Sequence, residues 1–124
     1  MSLITILVED SQTIRNNLIP ALSELAQAHV VAVAGSPLEA ATVLNAHRDV
    51  WQLAVVDLFL SNGSGLAVLD QCKLRHARQH VLVLTNYATP DIRMRCLELG
   101  ADGVFDKSTE LDEFFEVCLR YAQS

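Results

Sequence analysis

Residues 54–65 read AVVDLFLSNGSG, and this stretch decides the fold. An unbroken apolar run, Leu53–Val56, leads straight into an acid, Asp57, and then through more apolar residues into a Ser/Asn/Gly loop. Four apolar residues in a row without polar alternation read as a strand buried on both faces. A carboxylate at the end of such a strand belongs at the edge of a sheet, where a ligand can reach it.

Working outward, runs of the same kind occur at Leu3–Val8, Val30–Ala34 and Val81–Leu84, with a weaker one at Gly103–Phe105. Their β-branched content favours strand over helix. Between them the apolar residues follow helical spacing. The faces are Ile14, Leu18, Leu22 and Leu25; Leu38, Ala41, Leu44 and Ala46; Leu66, Leu69, Cys72 and Leu74; Ile92, Cys96 and Leu99; and Leu111, Phe114, Phe115, Cys118 and Leu119. Ser11 or Asp10, Ser36-Pro37, Thr89-Pro90 and Ser108 mark helix starts, and Gly35 and Gly100 mark ends. Five strand–helix pairs of this kind predict an α/β fold, a (βα)5 parallel sheet with helices on both faces.

Composition narrows the function. The 124 residues suit one domain, 1–124, and with 51% hydrophobic and 19% charged residues the chain is folded rather than disordered. A net charge of -6 and scattered basic residues argue against direct nucleic-acid binding. No apolar run approaches the ~18 residues of a membrane span, and MSLITILVED lacks the basic start and cleavage site of a secretory signal. The three cysteines form no CxxC pair, which suits reduced thiols and a cytoplasmic location. His29, His47, His76 and His80 have no metal spacing and carry no assigned role. Trp51 reads as packing. Of Phe114 and Phe115, one is expected in the core; for the other, plain packing outweighs the alternative of a partner or dimer face.

The residues just past each strand carry the chemistry. Glu9 and Asp10 follow the first strand, Asp57 ends the third, Thr85 ends the fourth and Lys107 follows the fifth. Parallel strands put all of these on one edge of the sheet, so three acids, a hydroxyl and an ammonium converge there. Two unit charges ~4 Å apart repel by ~4 kcal/mol at an effective dielectric of ~20. Lys107 supplies one positive charge, and a hard divalent ion such as Mg²⁺ supplies the rest. A carboxylate beside Mg²⁺ can act as a nucleophile and form an aspartyl phosphate. The ion and the lysine then offset charge on the phosphoryl group, and Thr85 can donate to one of its oxygens.

With these residues in place, the chain resembles a response-regulator receiver domain, the phospho-accepting half of two-component signalling. The resemblance runs over essentially the whole chain, through ILVEDS (Ile6–Ser11), VVDLFLSNGSGL (Val55–Leu66), VLVLTNYA (Val81–Ala88) and LGADGVFDKS (Leu99–Ser108). It implies a flavodoxin-like, doubly wound sheet of strand order 2-1-3-4-5, similar to the chemotaxis regulator. It also implies that Asp57 is the phosphoacceptor, and that Glu9, Asp10, Asp57 and the backbone carbonyl of Phe59 bind Mg²⁺. Thr85 is the implied switch hydroxyl, and Lys107 the implied phosphoryl contact. The implied partners are a histidine kinase or histidine phosphotransfer protein and a downstream protein or output domain. A homodimer would use the face of the fourth helix, fifth strand and fifth helix.

Four positions depart from the usual pattern. Val104 stands where an aromatic switch residue is common, and alternation turns Phe105 to the opposite face. Asn86 replaces a small residue after the switch threonine and is expected to narrow access to the phosphoryl site. Ser108 follows the lysine where proline is common, so a cis bond there would cost ~3 kcal/mol. Ser61 stands where the loop after the acid often has proline. The alternative is therefore a pseudo-receiver, a constitutive protein-interaction module. An enzyme on a similar scaffold fits less well: VEDSQT has no glycine for a dinucleotide turn, and no P-loop is present. A haloacid-type phosphatase needs a second acid where Phe59 stands. The expectation is a domain that assists its own phosphorylation and dephosphorylation without being a dedicated enzyme.

Overall fold

The computed structural model describes residues 2–124. The chain runs β1 (Leu3–Val8), α1 (Gln12–Ala26), β2 (Ala28–Ala34), α2 (Pro37–Ala46), β3 (Leu53–Val56), β4 (Phe59–Leu60), β5 (Gly63–Ser64), α3 (Gly65–Gln71), β6 (His80–Thr85), α4 (Pro90–Glu98), β7 (Gly103–Asp106) and α5 (Leu111–Gln123). Five strands form one parallel sheet in the order β2-β1-β3-β6-β7. This is the expected order once the two-residue strands are set aside. Those two, β4 and β5, pair as a small antiparallel hairpin in what the sequence reads as a loop.

Side-chain alternation divides the sheet into two apolar layers. Ile6, Val8, Ala54, Val56, Val81, Val83 and Val104 face α2, α3 and α4. Leu3, Leu7, Leu53, Val55, Leu82 and Leu84 face α1 and α5, where Leu18, Leu22, Phe114 and Cys118 meet them. Val104 and Phe105 fall on opposite sides, as alternation predicts, and Phe105 packs edge-on against Phe114 with ring centroids 5.7 Å apart. Phe114 is fully buried, while Phe115 is half-buried beside it rather than free on the surface. Trp51 is buried packing. All three cysteines are buried free thiols, and burial pushes Cys72 up to about 11 and Cys118 up to about 12.

Caps hold the helices where the sequence puts them, with one exception. The Ser11, Ser36 and Thr89 side chains accept from the Ile14, Glu39 and Ile92 N–H groups. Ser108 does not open α5: that helix begins one residue after Glu110, and Ser108 hydrogen-bonds Asp106 instead. Several helical stripes are also revised. In α2 the buried residues are Ala40 and Leu44, while Leu38 is 80% exposed and Ala41 and Ala46 lie outward. Most of α2 is apolar, so spacing alone leaves its phase open. Leu25, Leu74 and Leu111 are exposed as well: Leu25 lies off the Leu18–Leu22–Ala26 face that α1 buries, α3 ends at Gln71, before Leu74, and Leu111 is the first residue of α5.

Two glycines fix the segment after β3. A Cβ on Gly65 would lie 2.2 Å from the Asp57 carbonyl oxygen, so only glycine lets α3 start against the acid's own backbone. Gly63 has φ +116 and would also strike Pro37, which locks the hairpin against the start of α2.

Candidate functional site

Register carries the strand ends to one place. Val8 pairs with Ala34 on one side and with Val56 on the other, and Val56 pairs with Val83. The Glu9 N–H donates to the Ala34 carbonyl at 2.8 Å, the Asp57 N–H to the Val8 carbonyl at 2.9 Å and the Lys107 N–H to the Thr85 carbonyl at 2.9 Å. Each functional residue thus continues a ladder and sits one step beyond the sheet. Arg15 of α1 donates its Nε to the Glu9 carbonyl, tying the first acid to the helix that follows it.

One carboxylate oxygen each from Glu9, Asp10 and Asp57 lie within 4.8 Å of one another. Glu9 is 2% exposed and Asp57 8%. Lys107 reaches into the cluster, with its Nζ 2.7 Å from Glu9 Oε1 and 3.5 Å from Asp57 Oδ1. Burial pushes the Asp57 carboxyl above the usual carboxylate range; Lys107 pulls it back, and Glu9 pushes it further up. Asp10 behaves differently: hydrogen bonds from Ser61 hold its carboxyl below the usual range. Three carboxylates therefore converge while the one ammonium pairs with only two of them, Glu9 and Asp57, and the arrangement is short of positive charge. Converging hard oxygen donors of this kind fit a hard divalent cation such as Mg²⁺.

The other expected residues stand at the same edge, and the Phe59 backbone hydrogen-bonds the Asp57 carboxylate, opposing its upward shift. Thr85 is fully buried, and its Oγ1 accepts from the Tyr87 N–H at 3.3 Å, tying it to the loop leading to α4. The Phe59 ring is exposed and meets Tyr87 edge-on at 5.1 Å. Asn86 is exposed at the head of that loop. No cis peptide bond occurs among the described residues, including at Lys107–Ser108.

The chain's similarity to known proteins agrees with this architecture. The family model for the response regulator receiver domain matches residues 5–118. The chain belongs to that family. It is 32% identical over 109 residues to the transcriptional regulatory protein PmrA of Pectobacterium parmentieri, a match covering 87% of this chain and 47% of that protein. The chain thus spans about half the length of that relative. Its fold is that of the signal receiver domain of a DNA-binding response regulator from Colwellia psychrerythraea 34H, with a TM-score of 0.85 at 19% identity over 99% of this chain and 100% of that one. A response regulator from Burkholderia pseudomallei, solved with a phosphorylated aspartic acid, calcium ion and citrate, matches with a TM-score of 0.78 at 22% identity, covering 98% of this chain and 70% of that one.

Two further residues of this receiver domain make contacts at or beside the site: Ser61, which the sequence marks only as a departure from proline, and Arg93, which it does not mark. Ser61, in the hairpin turn, donates to Asp10 Oδ2 from its backbone N–H at 2.7 Å and from its hydroxyl. Arg93 of α4 donates to the Ala88 carbonyl at 2.9 Å, the Val104 carbonyl at 3.0 Å and the Glu110 carboxylate. It thereby joins the loop after Thr85 to β7 and the start of α5. Neither set of contacts follows a periodic spacing: Ser61 reaches across 51 positions, and Arg93 joins three neighbouring segments of the fold. No helix among the described residues is long and apolar enough to cross a membrane.

Proposed function

We propose that this receiver domain is an active phosphorylation switch. It accepts a phosphoryl group on Asp57 from a histidine kinase or a histidine phosphotransfer protein, in the cytoplasm, and signals through altered binding of a partner or output domain. The observation that carries this reading is the meeting of Lys107 with the Glu9–Asp10–Asp57 cluster at one sheet edge.

An Asp57 oxygen attacks phosphorus, and the bond from phosphorus to the donor breaks as the new O–P bond forms. The bonding electrons leave with the donor, which then takes up a proton. Lys107 offsets part of the charge of about -2 that the product carries. Glu9, Asp10 and Asp57, with the Phe59 carbonyl, would hold Mg²⁺, which supplies the remaining positive charge for phosphoryl transfer. Thr85 leaves the Tyr87 N–H and donates its hydroxyl to a phosphoryl oxygen, drawing the loop to α4 inward. The outcome is a population shift between two packings of α4, β7 and α5, and one form of altered binding is a homodimer through that face. The chain is a switch rather than a dedicated enzyme. It repels nucleic acid by its charge, and the PmrA-like relatives supply the precedent for an output domain elsewhere.

Val104 favours a second reading, a constitutive interaction module, because it is buried where a switching aromatic would need room to turn. One measurement separates the two: intact mass after incubation with Mg²⁺ and acetyl phosphate, for wild type and Asp57→Ala. The switch predicts a gain of one phosphoryl mass that disappears in the variant and without Mg²⁺. No gain, under conditions that modify a control receiver, leaves the constitutive module.

A further inference from the structure

Ser61 occupies a distinctive place. It begins the two-residue turn between β4 and β5 and reaches back across 51 positions of sequence to Asp10, the least buried of the three acids. Both of its donors, the backbone N–H and the hydroxyl, converge on one oxygen, Asp10 Oδ2. Neither Ser61 donor goes to the other oxygen, Oδ1. The turn that delivers Ser61 is itself fixed, since Gly63 seats it against Pro37 and Gly65 seats it against the backbone of Asp57 and Leu58.

We propose that Ser61 is a positioning residue for the cation site, holding the Asp10 carboxylate by Oδ2 in one orientation so that Oδ1 is presented to Mg²⁺. The proposal rests on the phosphorylation-switch reading of this edge. Asp10 lies on the loop between β1 and α1, where a carboxylate without partners rotates freely in water. Each rotamer that must be fixed on binding costs free energy, and Ser61 fixes it beforehand. Hydrogen-bonded partners behind a ligating carboxylate act in this way, and their loss typically weakens metal affinity about 10- to 100-fold. A proline at position 61 has neither a backbone N–H nor a hydroxyl. The chain's serine there thus supplies two donors that the common residue cannot.

The test is calorimetric titration of the intact protein with MgCl₂, which reads metal binding without any phosphoryl donor. Ser61→Ala keeps the N–H and removes the hydroxyl, and it is expected to weaken Mg²⁺ binding about 10-fold, the low end of the outer-shell range. Ser61→Pro removes both donors and is expected to fall further, toward about 100-fold. Ser61→Thr keeps both donors and restores affinity, which a general loss of packing would not explain. Thermal melts confirm that each variant is folded, and the Ala and Thr variants decide the question if the proline variant is not. Ser61→Ala binding as tightly as wild type, or more tightly, overturns the proposal and leaves the switch standing. Wild type failing to bind Mg²⁺ overturns both.

Discussion

The two edges of the sheet are built from similar residues to opposite ends. At the amino edge, Gln79 is 6% exposed, yet every polar atom of its side chain is used. Its amide donates to the Arg48 and Trp51 carbonyls, and its oxygen accepts from the His76 N–H. Beside it, Arg75 donates to the Gln79, Cys72 and Gly100 carbonyls and to Asp102, and Asp102 also accepts from the Val81 N–H. One cation meets one anion there, and the remaining donors find carbonyls. At the carboxyl edge, three acids converge and one lysine pairs with two of them, and burial makes charge on Asp57 unfavourable. The contrast separates polar groups that close a structure from polar groups held ready for a ligand. Local charge balance distinguishes them where burial does not.

The largest effect on folding is expected at the closed edge. Gln79→Ala leaves two carbonyls and an N–H without their partner and should cost about 2–3 kcal/mol in urea unfolding, the scale of buried polar groups left unpaired. A loss too small to resolve would mean that this edge is not the tightly satisfied network described. A smaller effect tests the same edge by pH. His80 stacks on Tyr121, with ring centroids 3.8 Å apart, and burial holds its pKa below the ordinary 6.5, with Asp102 opposing the shift. The folded state therefore favours neutral His80. That contribution is complete above pH 6.5 and is lost as pH falls below it. Melting temperature should drop on acidification from about pH 7.5 to about pH 5.5, and by less in His80→Phe, which keeps the stack but cannot protonate. An equal drop in the variant would remove His80 from the account.

The sequence carried most of the fold because its signals are local. Unbroken apolar runs mark β1, β3 and β6, and the Ser11, Ser36 and Thr89 caps mark the starts of α1, α2 and α4. The acid cluster with Lys107 joins residues far apart in the chain but follows from the topology, since parallel strands bring their carboxyl ends together. What failed depends on phase or on distant partners. The apolar α2 could be turned several ways, and only packing of Ala40 and Leu44 chooses one. The β4–β5 hairpin has two residues per strand, too short for a periodic signal. Arg93 and Ser61 act through contacts between segments that only the folded chain brings together.

The claim that the carboxyl edge is held short of positive charge, against stability, is tested most directly by melting Asp57→Asn and Asp102→Asn side by side in metal-free buffer. Removing charge from Asp57 should raise the melting temperature, because the folded state disfavours that charge. Removing it from Asp102 should lower the melting temperature, because Arg75 loses its carboxylate partner. If Asp57→Asn instead lowers the melting temperature as much as Asp102→Asn does, the two edges are alike and the account is wrong.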